Sequence, residues 1–168
     1  MTAARAGDAR QAGRRAFLSL GANLGDRAAA LRAAREALAA LPGTTLLASS
    51  RLYETAPQDL ADQPPFLNEV VCLETTLSPD ELLAAAQRIE QDAGRVRAVR
   101  FGPRTLDVDI LLFQGVESDR PELTLPHPRL WQRAFVLVPL AELHVAVRKP
   151  SPGSLPAAWA GAEVSLRR

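Results

Sequence analysis

The chain has 168 residues, of which 47% are hydrophobic and 23% charged, and its net charge is +1. That length suits one domain with a real hydrophobic core, and that charge balance excludes a global attraction to nucleic acid or to an anionic membrane surface. A single cysteine, Cys72, excludes a disulfide framework within the chain and fits a reducing compartment.

Residues 1–15 are rich in Ala, Arg and Gly, with no apolar stretch of the signal-peptide kind, and read as a disordered tail. No apolar run reaches the roughly 18 residues of a membrane span, so a cytoplasmic protein is expected. "RAFLSLGANLGD" (15–26) reads as a strand over Phe17–Leu20 followed by a turn. Leu31, Ala34, Leu38 and Leu41 recur at helical spacing before Pro42-Gly43 stops the helix. Residues 45–55 read as one strand, "APQDLADQPP" as a Pro-rich loop, and 66–76 as another strand.

Ser78-Pro79-Asp80-Glu81 is a capping box with proline at the first helical position. The helix it opens carries an apolar stripe of Leu82, Leu83, Ala86, Ile89 and Ala93 and stops at Gly94. An arginine-laden loop, 94–104, leads into the strand "TLDVDILLF". Residues 123–143 hold a Pro-containing turn, a short helix around 129–133, and a last strand or apolar segment near 135–140. The order β-α-β-β-α-β is a split βαβ pattern. It predicts an α+β fold of the ferredoxin-like kind, an antiparallel sheet with helices mainly on one face. One domain over 16–149 is expected, with a C-terminal extension at 150–168.

Asp107 and Asp109 stand two apart on a strand, hence on one face, about 6.6 Å apart along the chain. Val108 and Ile110 then point to the helix-covered core. Two like charges on one face repel unless a cation lies between them. Mg²⁺ suits the task, because it takes oxygen ligands from one or two carboxylates plus substrate phosphates. Arg95, Arg97, Arg100 and Arg104 crowd the preceding loop, and guanidinium forks match phosphate oxygens. Together the acids and arginines could hold a polyphosphate–metal complex under a loop made movable by Gly94 and Gly102. No G-x-x-x-x-G-K-[ST] loop is present, and the one lysine, Lys149, has no glycine loop before it. Gln87 and Glu90 lie one turn apart on the second helix, as a polar face or as a pair presented to a ligand. Phe66 and Asn68 share one side of their strand, as core packing or as an aromatic plate beside an amide. His127, between two prolines, has either a turn role or a ligand contact.

In sum, the chain resembles the 6-hydroxymethyl-7,8-dihydropterin pyrophosphokinases of folate biosynthesis. "FLSLGANLGDR", "YETAPQ…DQPPFLNEVVCLET", "QRIEQDAGRVR", "RFGPRTLDVDILLF" and "LPHPRLWQRAFVLVPLAEL" carry the resemblance, from about residue 16 to 143. It implies transfer of pyrophosphate from ATP to the hydroxymethyl group of the dihydropterin, giving AMP. It implies two Mg²⁺ ions on Asp107 and Asp109, with Arg95 and Arg104 on the phosphates and catalytic with the two acids. Gln87, Glu90, Arg97, Arg100, Ile110, His127 and Arg133 match ATP-binding positions. Thr55, Pro57, Phe66, Asn68 and Phe135 match the pterin site, with Phe66 and Phe135 sandwiching the ring and Asn68 reading its polar edge. Departures from the enterobacterial form are a loop one residue shorter between Arg97 and Phe101, Phe101 for Trp, Glu122 for a basic residue, and Ala56 for Pro. Partners are then the two small-molecule substrates, with no nucleic acid and no membrane, acting on a monomer. The rivals are a ferredoxin-like RNA-binding module and a non-catalytic ligand-binding domain. The first lacks the base-stacking aromatics on its central strands, and the second has no use for paired carboxylates beside four arginines.

Overall fold

Arg14–Ala22 forms β1, the strand around which the sheet is built. The computed structural model describes residues 12–57, 62–94, 105–147 and 164–166. The strand thus begins two residues inside the stretch read as a tail. Ala16, Leu18, Leu20 and Ala22 alternate along it and are fully buried on one face, as the period of a strand requires. Asn23 to Asp26 make a tight turn, and Asp26 accepts the N–H of Ala29 at 3.0 Å to cap α1, Arg27–Ala39. β2 (Thr44–Ser49) and β3 (Tyr53–Thr55) precede β4 (Phe66–Thr75). α2 (Pro79–Asp92) opens with the expected capping box, Ser78 Oγ accepting from Glu81 N–H and Glu81 accepting from Ser78 N–H at 2.7 Å. Those bonds hold the Glu81 carboxyl below its ordinary pKa. β5 is Asp107–Phe113, followed by a small hairpin of β6 (Ser118–Arg120) and β7 (Leu123–Leu125). A 3-10 turn at Leu130–Gln132 leads into α3, Ala134–Val147, and β8 is Val164–Leu166.

The main sheet runs β5-β1-β4-β3-β8, with β2 also on β4. β1 pairs antiparallel with β4 on one side and with β5 on the other. Leu31, Ala34 and Leu38 of α1, with Leu82 and Ala86 of α2, pack on the face that carries Leu18, Leu20, Val71, Val108 and Ile110. Val136, Leu137 and Leu143 of α3 pack on the opposite face, against Val70, Cys72 and Leu111.

Two expectations from sequence are corrected. Residues 135–140, read as a strand or an apolar segment, are helix, so two helices lie on one face and the third on the other. An unbroken apolar run has no period to separate buried helix from buried strand, and here burial overrides the helix-breaking tendency of Pro139. Residues 45–55 are two strands, interrupted at Ser50. There the Ser50 hydroxyl accepts the Val70 N–H at 3.0 Å, while the Ser50 N–H donates to the Val70 carbonyl at 2.9 Å. A side chain replaces one backbone rung, and the chain bends. The extension after 150 supplies β8, three residues paired to β3.

Candidate active site

β5 does what its alternation predicts. Val108 and Ile110 are each 5% exposed in the core beneath α1 and α2, whereas Asp107 and Asp109 are half-buried on the face that α3 only partly covers. In register, Asp107 lies opposite Gly21 and Asp109 opposite Ser19, so small residues flank both carboxylates. The strand is held from outside by α2: Glu90 is buried and its Oε1 accepts the Val108 N–H at 2.8 Å. Farther along, a bulge leaves Leu111 extra between Ile110 and Leu112, and both leucines turn toward α3. Among the described residues no group of three or more His, Cys, Asp or Glu could hold a metal. Two strand carboxylates without a third protein ligand suit a hard divalent cation whose other oxygens come from phosphates and water. The donor set therefore fits Mg²⁺.

His127 sits beside β5, its N–H donating to the Leu111 carbonyl at 2.9 Å. Its Nδ1 accepts the Arg129 N–H at 3.2 Å. The neutral ring therefore carries its proton on Nε2. Burial, then the nearby Arg133 and Arg129, lower the imidazole pKa, and only Asp107 opposes them. Arg133 places its guanidinium 5.4 Å from the centre of the Phe135 ring. Gln87 is exposed on α2, and Ile110 is a core side chain. Arg95, Arg97, Arg100 and Arg104 lie outside the described residues.

The other set of expected residues gathers on the same face. Asn68 on β4 is buried and donates from Nδ2 to Thr55 Oγ1 on β3 at 2.8 Å. Thr55 pairs in register with Phe66, which is half-buried at the start of β4. Phe135, also half-buried, packs in the first turn of α3 beside the cluster on this face. Pro57 follows β3 and is half-buried. The two sets meet at Gly21, which lies opposite Asn68 on one side and opposite Asp107 on the other. With neighbouring strands about 4.8 Å apart, the two residues stand roughly 10 Å apart across a glycine that puts nothing between them. A Cβ at Gly21 would come within 2.9 Å of Asn68 Oδ1.

Several residues around this floor escaped the sequence reading. Asn23 is buried and donates to Gln63 Oε1 at 3.0 Å and to the Pro64 carbonyl at 3.1 Å. Arg27 donates to the Pro65 carbonyl at 2.7 Å and to Glu54 at 2.9 Å. One signal was present: an arginine in the first turn of a helix opposes the macrodipole, so its use lies elsewhere. Glu142 of α3 accepts from Tyr53 Oη at 2.7 Å and from Arg51 Nε at 3.0 Å, tying α3 to β3. Burial first, then Glu142, raises the Tyr53 pKa. No local pattern announces that contact.

A family model described as 7,8-dihydro-6-hydroxymethylpterin-pyrophosphokinase matches residues 17–145. The chain is 48% identical over 142 residues to a 2-amino-4-hydroxy-6-hydroxymethyldihydropteridine pyrophosphokinase of Pseudomonas aeruginosa, covering 84% of this chain and 88% of that one. A protein of the same name from Bacillus subtilis is 46% identical over 134 residues, covering 80% of each. Among solved structures, wild-type Plasmodium falciparum HPPK-DHPS superposes with a TM-score of 0.57 at 15% identity over 77% of this chain. The chain spans only 41% of that structure's length, and at this identity the likeness concerns the fold alone.

Proposed function

The chain belongs to the 7,8-dihydro-6-hydroxymethylpterin-pyrophosphokinase family, and from that premise we propose how its own residues divide the work. The reaction is transfer of pyrophosphate from ATP to 6-hydroxymethyl-7,8-dihydropterin, in folate biosynthesis. The substrate's hydroxymethyl oxygen forms a bond to the β-phosphorus. The bond from that phosphorus to the α–β bridging oxygen breaks, AMP leaves with that oxygen, and the hydroxyl proton is released.

One observation carries the assignment of residues: Gly21 stands in register between Asn68 and Asp107. The pterin binds on the Asn68 side, with Thr55 and Asn68 at its polar edge, Pro57 beside it, and Phe66 and Phe135 against its faces. The phosphates bind on the Asp107 side. The bare row at Gly21 leaves room for the hydroxymethyl group to reach the β-phosphorus, so orientation is the protein's main contribution. Asp107 and Asp109 hold two Mg²⁺ ions, which when bound neutralise the phosphate oxygens and stabilise the developing charge. Arg95 and Arg104 act on the transferred phosphates, and Arg97 and Arg100 close over the nucleotide. Gln87, His127 and Arg133 line the nucleotide side, whereas Glu90 and Ile110 support it from behind β5, Glu90 by accepting the Val108 N–H and Ile110 by packing in the core. His127, neutral with its Nε2–H as donor, offers a hydrogen bond without adding charge.

The strand order β5-β1-β4 with β2 and β3 beyond supports reading the architecture as ferredoxin-like. We read the protein as a cytoplasmic monomer that uses neither nucleic acid nor a membrane. A buried thiol, near-zero net charge, and the lack of any described helix long and apolar enough to cross a bilayer support this. The assay is direct: with ATP, Mg²⁺ and 6-hydroxymethyl-7,8-dihydropterin, AMP and pterin diphosphate form in equal amounts. ADP as the nucleotide product, or no pterin diphosphate, would refute the reading.

A further inference from the structure

We propose that Asn23, which follows β1, and Arg27, the first residue of α1, are positioning residues for the pterin. This rests on the pterin site assigned above. Arg27 lies at the start of α1, where the helix dipole disfavours a cation. Its guanidinium instead reaches across the sheet edge to two acceptors, the Pro65 carbonyl at 2.7 Å and Glu54 Oε2 at 2.9 Å. Pro65 immediately precedes Phe66, and Glu54 sits between Tyr53 and Thr55 on β3. Its side chain points to the face opposite Thr55, since successive residues of a strand alternate. Arg27 thus grips, from behind, the two backbone segments that carry Thr55 and Phe66 in front.

Asn23 extends the grip by two residues, through Gln63 Oε1 and the Pro64 carbonyl. Its side chain is 2% exposed, which strengthens these bonds and makes their loss costly. The clamped segments meet where the loop enters β4, beyond the ladder that holds β3 to β4 and β8. β3 is three residues long, and the segment before Phe66 runs through Pro64 and Pro65, which lack N–H groups for a ladder. The guanidinium fork matches two acceptors at once, which an ammonium does less well. The turn that follows the Gly21 end of β1 therefore also sets where the pterin's aromatic and polar contacts stand.

The test is a split between the two substrates. For Arg27→Gln and Asn23→Ala, the KM for 6-hydroxymethyl-7,8-dihydropterin should rise about tenfold while the KM for ATP and kcat stay within about twofold. Arg27→Lys should fall between Gln and wild type. Glu54→Gln, which keeps the Pro65 contact, should give a smaller rise of the same kind and serves if Arg27→Gln does not fold. Equal increases in both KM values, or none, would overturn the proposal. Asn68→Ala is the control for the underlying assignment. If it leaves the pterin KM unchanged, the pterin site is misplaced. If it raises that KM while the Arg27 and Asn23 variants do not, the positioning role alone is wrong.

Discussion

Asn68 and Asp107 lie in one row of the sheet, on either side of Gly21, although they come from strands that never touch each other. The glycine has no turn to make there; it keeps the row open. Gly21→Ala puts a methyl within 2.9 Å of Asn68 Oδ1. Asn68 is buried and bonded to Thr55, so its amide has little room to yield. Overpacking should cost about 1–3 kcal/mol. The pterin KM should rise about tenfold, more than the ATP KM. Unchanged steady-state constants would mean that the row is not where the substrates meet.

Glu90 supports β5 from behind. Its carboxylate accepts the N–H of Val108, the residue between the two acids. Glu90→Ala leaves that buried N–H without its acceptor, a loss of about 1–3 kcal/mol. Glu90→Gln keeps an acceptor oxygen and should lose less. Thermal denaturation should rank wild type above Gln above Ala, and equal Tm values for the two variants would remove the bond from the account.

His127 gives the protein an acid-sensitive contact. Its folded pKa lies below the ordinary histidine value of about 6.5, because burial and then Arg133 and Arg129 disfavour the imidazolium. The sign follows: the unfolded chain binds a proton here more readily than the folded one. The stabilisation is complete above about pH 6.5 and is lost as pH falls toward the folded pKa. Protonation also ends acceptance of the Arg129 N–H by Nδ1. The chain has only two histidines, so NMR titration can resolve the ring. A midpoint below 6.5 is expected, and His127→Asn should flatten the acid limb of the stability curve. A midpoint above 6.5 would reverse the argument.

Phe135 should separate the two substrates. Its ring packs against the cluster under α3, with the Arg133 guanidinium 5.4 Å from its centre. Phe135→Ala should weaken pterin binding by about tenfold or more and ATP binding much less. Calorimetry with each substrate decides it, and equal losses would mark Phe135 as packing.

Local chemistry was legible in the sequence. Ser78 and Glu81 declare a helix start because both partners of each bond lie within one turn. Asp107 and Asp109 declare a shared face because strand period is local. Contacts set by tertiary register were not legible. The break at Ser50 depends on Val70, and the split of 45–55 follows from it. The Gly21 row depends on pairing between distant strands, and the Arg27 grip on a loop that no periodicity describes. The third helix was hidden because Val136, Val138 and Pro139 favour a strand or a break by propensity, whereas the opposite face of the sheet needed cover. The pterin and carboxylate positions inferred from motif resemblance do fall on one face, while the four loop arginines lie outside the described residues.

The central claim is that Asp107 and Asp109 hold the metal that carries the ATP phosphates. It is tested most directly by Mg²⁺-dependent AMP formation in wild type, Asp107→Asn and Asp109→Asn, with folding followed by Tm. Each substitution should lower kcat/KM by at least about a hundredfold. Each variant should stay folded at the assay temperature, so that the loss of rate is read on native protein. Wild-type rates in either variant, or activity undiminished when Mg²⁺ is chelated, would contradict the claim.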